Sequence, residues 1–474
     1  MHTSTTSTAR LDAWTSQHLQ QATQGQWYNA IQPKHAIQRI VTDSRQAQAG
    51  DAFLALKGER FDAHDFVKQV AEQGVSCVIV QRVIADIDVP QLVVADTRLA
   101  LGHLGAYRRA ECQNLQVVAL TGSSGKTTTK EMLGSIFARL GETLITRGNL
   151  NNDLGVPMML LELRQDHRYA VFELGANHLG EIDYTANLVR PDVAGVINIG
   201  TAHMGEFGGR EGICKAKSEI YQHIQHDGVA VYPAYDDFAA QLKQASQNYR
   251  HYAVSKDTSG DIYAENIQLF AQSSSFDAVT PQGKIHIDLP FAGEHNVYNA
   301  LNAIAFALAL NISLADIQRG LATAQGVKGR LNFIQKYQYT LIDDTYNANP
   351  TSMRAAADVL SQQNADIKIM VIGDIGELGD EAQSEHFALG RDLVQKPIDF
   401  LYSVGQFSSD ILAGAKTAQH AQAETMISQN QAELIALLQQ KIQSYSKDVT
   451  IAMLFKGSRY TKMENVLNAL LESF

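Results

Sequence analysis

Gln116-Val117-Val118-Ala119-Leu120-Thr121-Gly122-Ser123-Ser124-Gly125-Lys126-Thr127-Thr128 decides how this chain is read. An apolar run ends in a glycine-rich turn, and the turn opens an amphipathic helix on which Met132, Leu133, Ile136, Phe137 and Leu140 share one face. Glycines at 122 and 125 let the backbone bend tightly, so that its N–H groups surround phosphate oxygens. The helix N-terminus adds its dipole, Lys126 reaches the β- and γ-phosphates, and the hydroxyl of Thr127 or Thr128 suits Mg²⁺. The expected ligand is therefore ATP with Mg²⁺, held by Gly122, Ser123, Ser124, Gly125, Lys126, Thr127 and Thr128. The longer phosphate-loop pattern places glycine at 120, where this chain has Leu120. A glycine-rich turn without a nucleotide is the competing reading.

Outward from this loop, apolar runs alternate with helical stretches. Tyr169–Phe172 and Val193–Ile199 read as further strands of the same region, continuous in hydrophobicity as strands of a covered parallel sheet are. Beyond Lys328, strands at Thr340–Ile342, Ile367–Ile372, Phe400–Val404 and Val449–Leu454 alternate with helices, which predicts a second, doubly wound sheet. Before the loop, Ile37–Val41, Cys77–Val80 and Leu92–Val94 read as strands and Asp65–Gln73 as helical. Polar Glu111–Asn114 marks one hinge and Gly326–Gly329 a second. The expectation is an α/β chain of three domains, at residues 1–112, 113–327 and 328–474, and its length of 474 residues fits two or three cores.

Composition narrows the class of function. The chain is 45% hydrophobic and 19% charged with net charge −11, so nothing electrostatic invites nucleic acid or an anionic membrane surface. Cys77, Cys112 and Cys214 have no metal-ligand spacing, which fits a reducing compartment. Residues 1–10 lack the apolar core of a signal peptide, and Ala300–Leu310 is too short to span a bilayer. A cytoplasmic protein without membrane insertion is expected.

Several polar residues end apolar strands, where open α/β sheets present ligands. Glu173 closes Tyr169-Ala170-Val171-Phe172, and His203 closes Asn198-Ile199-Gly200-Thr201-Ala202. Read singly, each fits a surface residue as well as a ligand. Read with the loop, Thr127, Glu173 and His203 would converge on one sheet edge, a donor set suited to Mg²⁺ or Mn²⁺. Lys217 lies in a helical stretch beside Lys215 and Glu219, where a solvated lysine is the plain reading. Asn296 and Asn299 precede a long apolar helix and offer paired donors and acceptors, helix capping being the alternative for Asn296. Asp343-Asp344-Thr345-Tyr346-Asn347-Ala348-Asn349-Pro350 crowds a strand end with polar groups, and an Asx turn accounts only for its Asn-Pro part.

Taken in order, the loop and Gly148-Asn149-Leu150-Asn151-Asn152-Asp153, Glu173–His178, Asn198–His203, Asp344–Pro350, Gly373–Gly379 and Leu454–Arg459 resemble the Mur ligase family. The resemblance runs from about Thr42 to the last helix. It implies an N-terminal UDP-substrate domain, a central ATPase domain and a C-terminal Rossmann-like domain. It further implies ATP-dependent joining of D-alanyl-D-alanine to a UDP-N-acetylmuramoyl-tripeptide through an acyl phosphate; separately, a monomer is expected. By the same resemblance Lys126, Glu173, His203 and Lys217 are catalytic. Thr127, Glu173, His203 and a carbamylated Lys217 hold Mg²⁺. Asn296 and Asn299 lie beside adenine, Arg330 contacts the nucleotide and Asp344 the ribose. Ser44, Arg45, Asn149, Asn151, Asn152, Tyr346, Asn347 and Asn349 meet the other substrates. Thr42–Arg45, Lys57-Gly58 and Phe61–His64 resemble the uridine-nucleotide site. The Asp-Asn-Pro-Arg motif of the diaminopimelate-adding sibling is missing. A folylpolyglutamate synthase and a regulatory P-loop ATPase are the rival readings.

Overall fold

The computed structural model describes residues 13–58, 61–201 and 204–474; His203 and the residues 1–10 discussed above lie outside them. The chain divides into two compact units. The first comprises Met1–Val118, Gly141–Leu174 and Asp183–Pro191, the second Ala119–Leu140, Gly175–Ile182 and Asp192–Phe474.

In the first unit, β1 (Gln26–Trp27), β2 (Ile40–Val41), β3 (Ala52–Leu54), β4 (Cys77–Val80) and β5 (Gln91–Val93) form a sheet in the order β1-β5-β4-β3-β2. Strands β2 to β5 run parallel, and β1 is antiparallel to β5. Strand β4 is buried on both faces, which is why it shows no polar alternation. Its Cys77 and Ile79 pack with Leu19, Leu101 and Leu104, its Val78 and Val80 with Val67 and Val70. Helix Thr97–Glu111 starts where the Asp96 side chain accepts the N–H groups of Arg98 and Leu99. The expected strand at Ile37–Val41 is shorter than read: Ile37 makes only an isolated bridge to Trp14. Also in this unit, β7 (Thr143–Ile145) pairs in parallel with β8 (Tyr169–Glu173). Strand β6 (Gln116–Thr121) contributes Gln116–Val118 here and Ala119–Thr121 to the second unit.

In the second unit, β9 (Val193–Val196), β10 (Val229–Pro233) and β11 (Arg250–Val254) follow β6 in the order β11-β10-β9-β6. The loop after β6 leads into helix Lys126–Phe137, whose Met132, Leu133, Ile136 and Phe137 are fully buried. Leu140 departs from the expectation, because the helix stops at Phe137 and leaves it partly exposed. Helix Glu294–Ala309 is apolar around most of its circumference and correspondingly buried. An antiparallel sheet not foreseen in the sequence, β12 (Tyr263–Leu269), β13 (Ser274–Thr280) and β14 (Gly283–Leu289), precedes it.

The rest of this unit is the expected doubly wound sheet. Strands β15 (Asn332–Lys336), β16 (Tyr339–Asp344), β17 (Ile367–Gly373), β18 (Phe400–Val404), β19 (Glu424–Ser428) and β20 (Ile451–Lys456) lie in the order β15-β16-β20-β17-β18-β19. All pairs are parallel except β15 with β16. Met353, Leu389 and Ile411 cover one face, Leu434, Leu438 and Leu467 the other. The return of the chain to β20 sets Lys456 in register beside Asp344.

Tyr221 ties β9 to β10. Its buried hydroxyl donates to the Val231 carbonyl at 2.8 Å and accepts the Val196 N–H at 3.2 Å. Tyr221→Phe strands both backbone groups in apolar surroundings, and the expected loss is about 1–3 kcal/mol, read as a lower urea midpoint.

Candidate active site

The loop Gly122–Thr128 is shaped by what its two glycines make room for. A Cβ on Gly122 would lie 2.5 Å from Ile197 Cγ1, so only glycine lets the segment after β9 close on the loop. Gly125 sits at φ +76°, the left-handed region, and a Cβ there would fall 2.2 Å from Asn299 Oδ1. Helix Lys126–Phe137 begins at the next residue, so the loop runs directly into a helix N-terminus. Lys126 Nζ donates to the loop's own Gly122 carbonyl at 2.7 Å. Thr127 is buried in the first turn and Thr128 is partly exposed. The buried Ser123 hydroxyl has no hydrogen-bond partner among the described residues.

Asn198, in the segment after β9, holds this loop. Its Oδ1 accepts the N–H groups of Ser123 and Ser124 at 3.1 and 3.0 Å, and its Nδ2 donates to the Ser124 carbonyl at 2.9 Å. Asn296 and Asn299 are both buried. Asn299 Nδ2 donates to Asn296 Oδ1 at 2.9 Å, and Asn296 Nδ2 to the Ala292 carbonyl at 2.8 Å. Asn296 is not a helix cap: Gly293 takes that position, and Asn296 lies inside the first turn.

Lys217 overturns its plain reading. It is only 2% exposed, near the end of helix Arg210–Ser218, whereas its neighbour Lys215 is solvated. Helical periodicity turns the two side chains to different faces, so adjacency in sequence said nothing about the environment of Lys217.

At the carboxyl ends of β16 and β20, Lys456 Nζ donates to Asp344 Oδ2 at 2.6 Å and to the Asn347 carbonyl at 3.0 Å. Asp344 Oδ1 accepts the Leu331 N–H at 3.3 Å. Burial pushes the Asp344 carboxyl up, against the opposing pull of Lys456. Burial and the Lys456 charge together push His295 down to about 4, so the imidazole stays neutral at physiological pH. The Arg330 guanidinium lies 4.6 Å over the Tyr346 ring, with the Tyr346 N–H on the Gly329 carbonyl at 3.0 Å. Asn347 Oδ1 accepts the N–H groups of Ala348 at 2.9 Å and Arg459 at 3.4 Å. Asn349 caps helix Pro350–Ser361 in a reciprocal box with Ser352, and its Nδ2 reaches the Ser123 carbonyl at 3.4 Å. The Asn-Pro pair is thus a helix start. The stretches Gly373–Gly379 and Leu454–Arg459 meet where the Gly376 N–H donates to Ser458 Oγ at 2.8 Å.

The remaining candidates belong to the first unit. Glu173 is buried, and its Oε1 accepts from Asn151 Nδ2 at 2.8 Å. Asn152 Oδ1 takes the Gly155 N–H at 2.8 Å, and the Asn149 carbonyl takes the Asn151 N–H at 2.8 Å, so this stretch is a self-bonded turn. Ser44 lies in the short turn that Asp43 caps, and Arg45 pairs with Asp43 at 2.7 Å on the surface. That bond holds the Asp43 carboxyl down to about 2. His64 donates from Nδ1 to Asp62 at 2.6 Å and accepts the Gln81 N–H at Nε2 at 2.9 Å. The exposed Phe61 ring stacks on Phe66 with centroids 5.4 Å apart.

Two residues of the site were not singled out in the sequence, Asn198 and Lys456. Both stand inside quoted stretches, and the signal for each was a polar side chain at or just past the end of an apolar run. Among the described residues, no group of three or more His, Cys, Asp or Glu side chains is poised to hold a metal ion. No helix among them is long and apolar enough to cross a membrane.

Comparison with known proteins matches three family models: Mur ligase family, catalytic domain, at residues 36–109; Mur ligase middle domain, at 120–307; and Mur ligase, glutamate ligase domain, at 329–459. The UDP-N-acetylmuramoyl-tripeptide–D-alanyl-D-alanine ligase of Haemophilus influenzae is 41% identical over 440 residues, 92% of this chain and 93% of that protein. The crystal structure of MurF from Acinetobacter baumannii superposes with a TM-score of 0.93 at 60% identity, covering 98% of this chain and 100% of that one. MurF from Thermotoga maritima in complex with ADP superposes at 0.80 with 26% identity, covering 92% and 97%.

The Asp344–Lys456 pair makes a direct stability test. Lys456→Met leaves a buried carboxylate without its cation, and the expected loss is about 3–5 kcal/mol. The double variant with Asp344→Asn removes the stranded charge and is expected to recover part of it, both read by chemical denaturation.

Proposed function

This chain belongs to the Mur ligase family, and we propose that it is its UDP-N-acetylmuramoyl-tripeptide–D-alanyl-D-alanine ligase, an ATP-dependent enzyme that makes the UDP-pentapeptide precursor of peptidoglycan. One observation carries this reading: the likeness to a relative of that name covers 92% of the chain, not the ATP loop alone. The matched segments take in residues 122–128, Asn296, Asn299 and Asp344–Asn349 together.

In the proposed reaction the ATP γ-phosphoryl group passes to the terminal carboxylate of the tripeptide, giving an acyl phosphate and ADP. The amine of D-alanyl-D-alanine attacks the acyl carbon, loses its proton, and phosphate leaves from the tetrahedral intermediate. The chain's work is to bring two anions together and neutralise their charge. Lys126, which now bonds a loop carbonyl, is the cation that turns to the β- and γ-phosphates. The head of helix Lys126–Phe137 offers N–H groups and a favourable dipole to the same oxygens. Asn296, Asn299, Arg330 and Asp344 are proposed for the adenosine side. Ser44, Arg45, Asn149, Asn151, Asn152, Tyr346, Asn347 and Asn349 are proposed for the UDP-peptide and the dipeptide.

Mg²⁺ is the proposed companion of ATP, and when bound it would offset the charge of the phosphate oxygens. The donor chemistry fits: a hydroxyl from Thr127, a carboxylate from Glu173 and an imidazole from His203. Lys217 is proposed as a carbamate that adds oxygen donors. Its burial supports this, since carbamate formation consumes a neutral amine and burial disfavours the charged form. The proposed division of labour is UDP-substrate binding in 1–112, ATP binding in 113–327 and a Rossmann-like domain in 328–474. A cytoplasmic monomer is proposed with it.

The deciding experiment supplies ATP, Mg²⁺, the UDP-tripeptide and D-alanyl-D-alanine in all combinations. ADP, phosphate and the UDP-pentapeptide are expected by mass spectrometry only when both acceptor and dipeptide are present. Equal ATP hydrolysis without the dipeptide would favour a regulatory ATPase. Lys126→Ala is expected to lower kcat at least as far as the loss of one transition-state charge donor does, about 10²–10³-fold; near-normal turnover at saturating ATP would remove the loop from the reaction.

A further inference from the structure

We propose that Asn198 is a positioning residue for the ATP site, acting on the phosphates only through the loop it clamps. Strand pairing between β6 and the segment after β9 continues as far as the bond from the Ile197 N–H to the Thr121 carbonyl at 2.9 Å. Strand β9 itself ends at Val196, and just beyond it both the main chain and the side chain of Asn198 bond the loop. Its Oδ1 receives two consecutive loop N–H groups, Ser123 at 3.1 Å and Ser124 at 3.0 Å, and lies 3.4 Å from the Ser124 hydroxyl. Its Nδ2 returns a bond to the Ser124 carbonyl at 2.9 Å. The Asn198 carbonyl also accepts the Ser123 N–H, at 3.2 Å. One amide therefore satisfies three main-chain groups of a tight turn.

The consequence is a division of the loop's donors. The N–H groups of Ser123 and Ser124 are committed to Asn198, so the donors that meet a phosphate come from Gly125 onward, at the head of the helix, with Lys126 beside them. With the turn already held, ATP binding need not order it, and less affinity is lost to immobilising the loop. Only an amide does this. A carboxylate accepts the two N–H bonds but has no proton for the Ser124 carbonyl, and it sets a negative charge near the triphosphate. Alanine loses all three bonds. The same requirement explains Gly122, whose missing Cβ leaves space for Ile197 and the Asn198 backbone.

The inference rests on ATP being a substrate but not on which amine is joined, so ADP binding reads it independently of ligation. The full-length chain carrying Asn198→Ala is compared with the parent by calorimetric titration with ADP, thermal melting and steady-state kinetics. ADP Kd and the KM for ATP are expected to rise about tenfold, a change of about 1.4 kcal/mol in binding. The KM values for the UDP-tripeptide and D-alanyl-D-alanine are expected to stay within twofold, and the melting temperature within a few degrees. Asn198→Asp keeps the two accepted bonds and is expected to fold normally while binding ADP and ATP at least as weakly as Asn198→Ala. ADP Kd within twofold of the parent in a folded Asn198→Ala would overturn the proposal. So would an equal rise in all three KM values accompanied by a large fall in melting temperature, which marks a folding role. If Asn198→Ala does not fold, Asn198→Asp decides alone, and parental ADP affinity in it counts against the idea.

Discussion

Two missing side chains govern the loop Gly122–Thr128. At Gly122 and Gly125 a Cβ would collide with Ile197 and with Asn299, so the bend of the loop and the approach of two other elements are one constraint. Protein interiors are close-packed, and an atom added at 2.2 or 2.5 Å from a neighbour cannot be absorbed locally. The order Gly-x-x-Gly-Lys thus reports more than backbone freedom. It records that the segment after β9 and helix Glu294–Ala309 must both come within contact of the turn that carries Lys126.

The second organising feature is the buried pair of Asp344 and Lys456. It follows from topology: β20 is the last strand in the chain but inserts between β16 and β17, which places residue 456 in register with residue 344. Both partners are nearly excluded from water, and Lys456 uses a second donor on the Asn347 carbonyl. The cation therefore orders the turn that leads to Asn349 as well as neutralising Asp344. Charges buried in this way are costly to separate. Asn349 extends that order to the loop, because the side chain that starts helix Pro350–Ser361 also touches the Ser123 carbonyl.

Much of the fold was legible because buried parallel strands are short apolar runs. Cys77–Val80 and Phe400–Val404 were read to the residue, since each is bounded by polar turns and covered on both faces. The antiparallel sheet β12–β14 escaped notice although Lys284-Ile285-His286-Ile287-Asp288-Leu289 alternates strictly after a Gln-Gly turn. Its exposed face gives half its residues a polar character, and an expectation of wholly apolar strands passes over such a pattern. Leu140 was misplaced for a related reason: periodicity carries a helical face forward on paper past the residue where the helix ends.

The sequence alone determined the chemistry on offer: a lysine after a glycine-rich turn, and carboxylates, imidazole and amides directly after apolar strands. Those features are local, and local geometry follows from residue type. Family resemblance added the activity, because it depends on several such motifs in one order. Tertiary structure decided which side chains share an environment. It buried Lys217, where charge patterning suggested a solvated lysine. It ruled out the helix-cap alternative for Asn296 and made Asn349 a cap. It also assigned Asn198 to the loop and Lys456 to Asp344 across separations of 74 and 112 residues. Burial and pairing over such distances are properties of the packed chain, set by strand order and register, and no local pattern in the sequence encodes them.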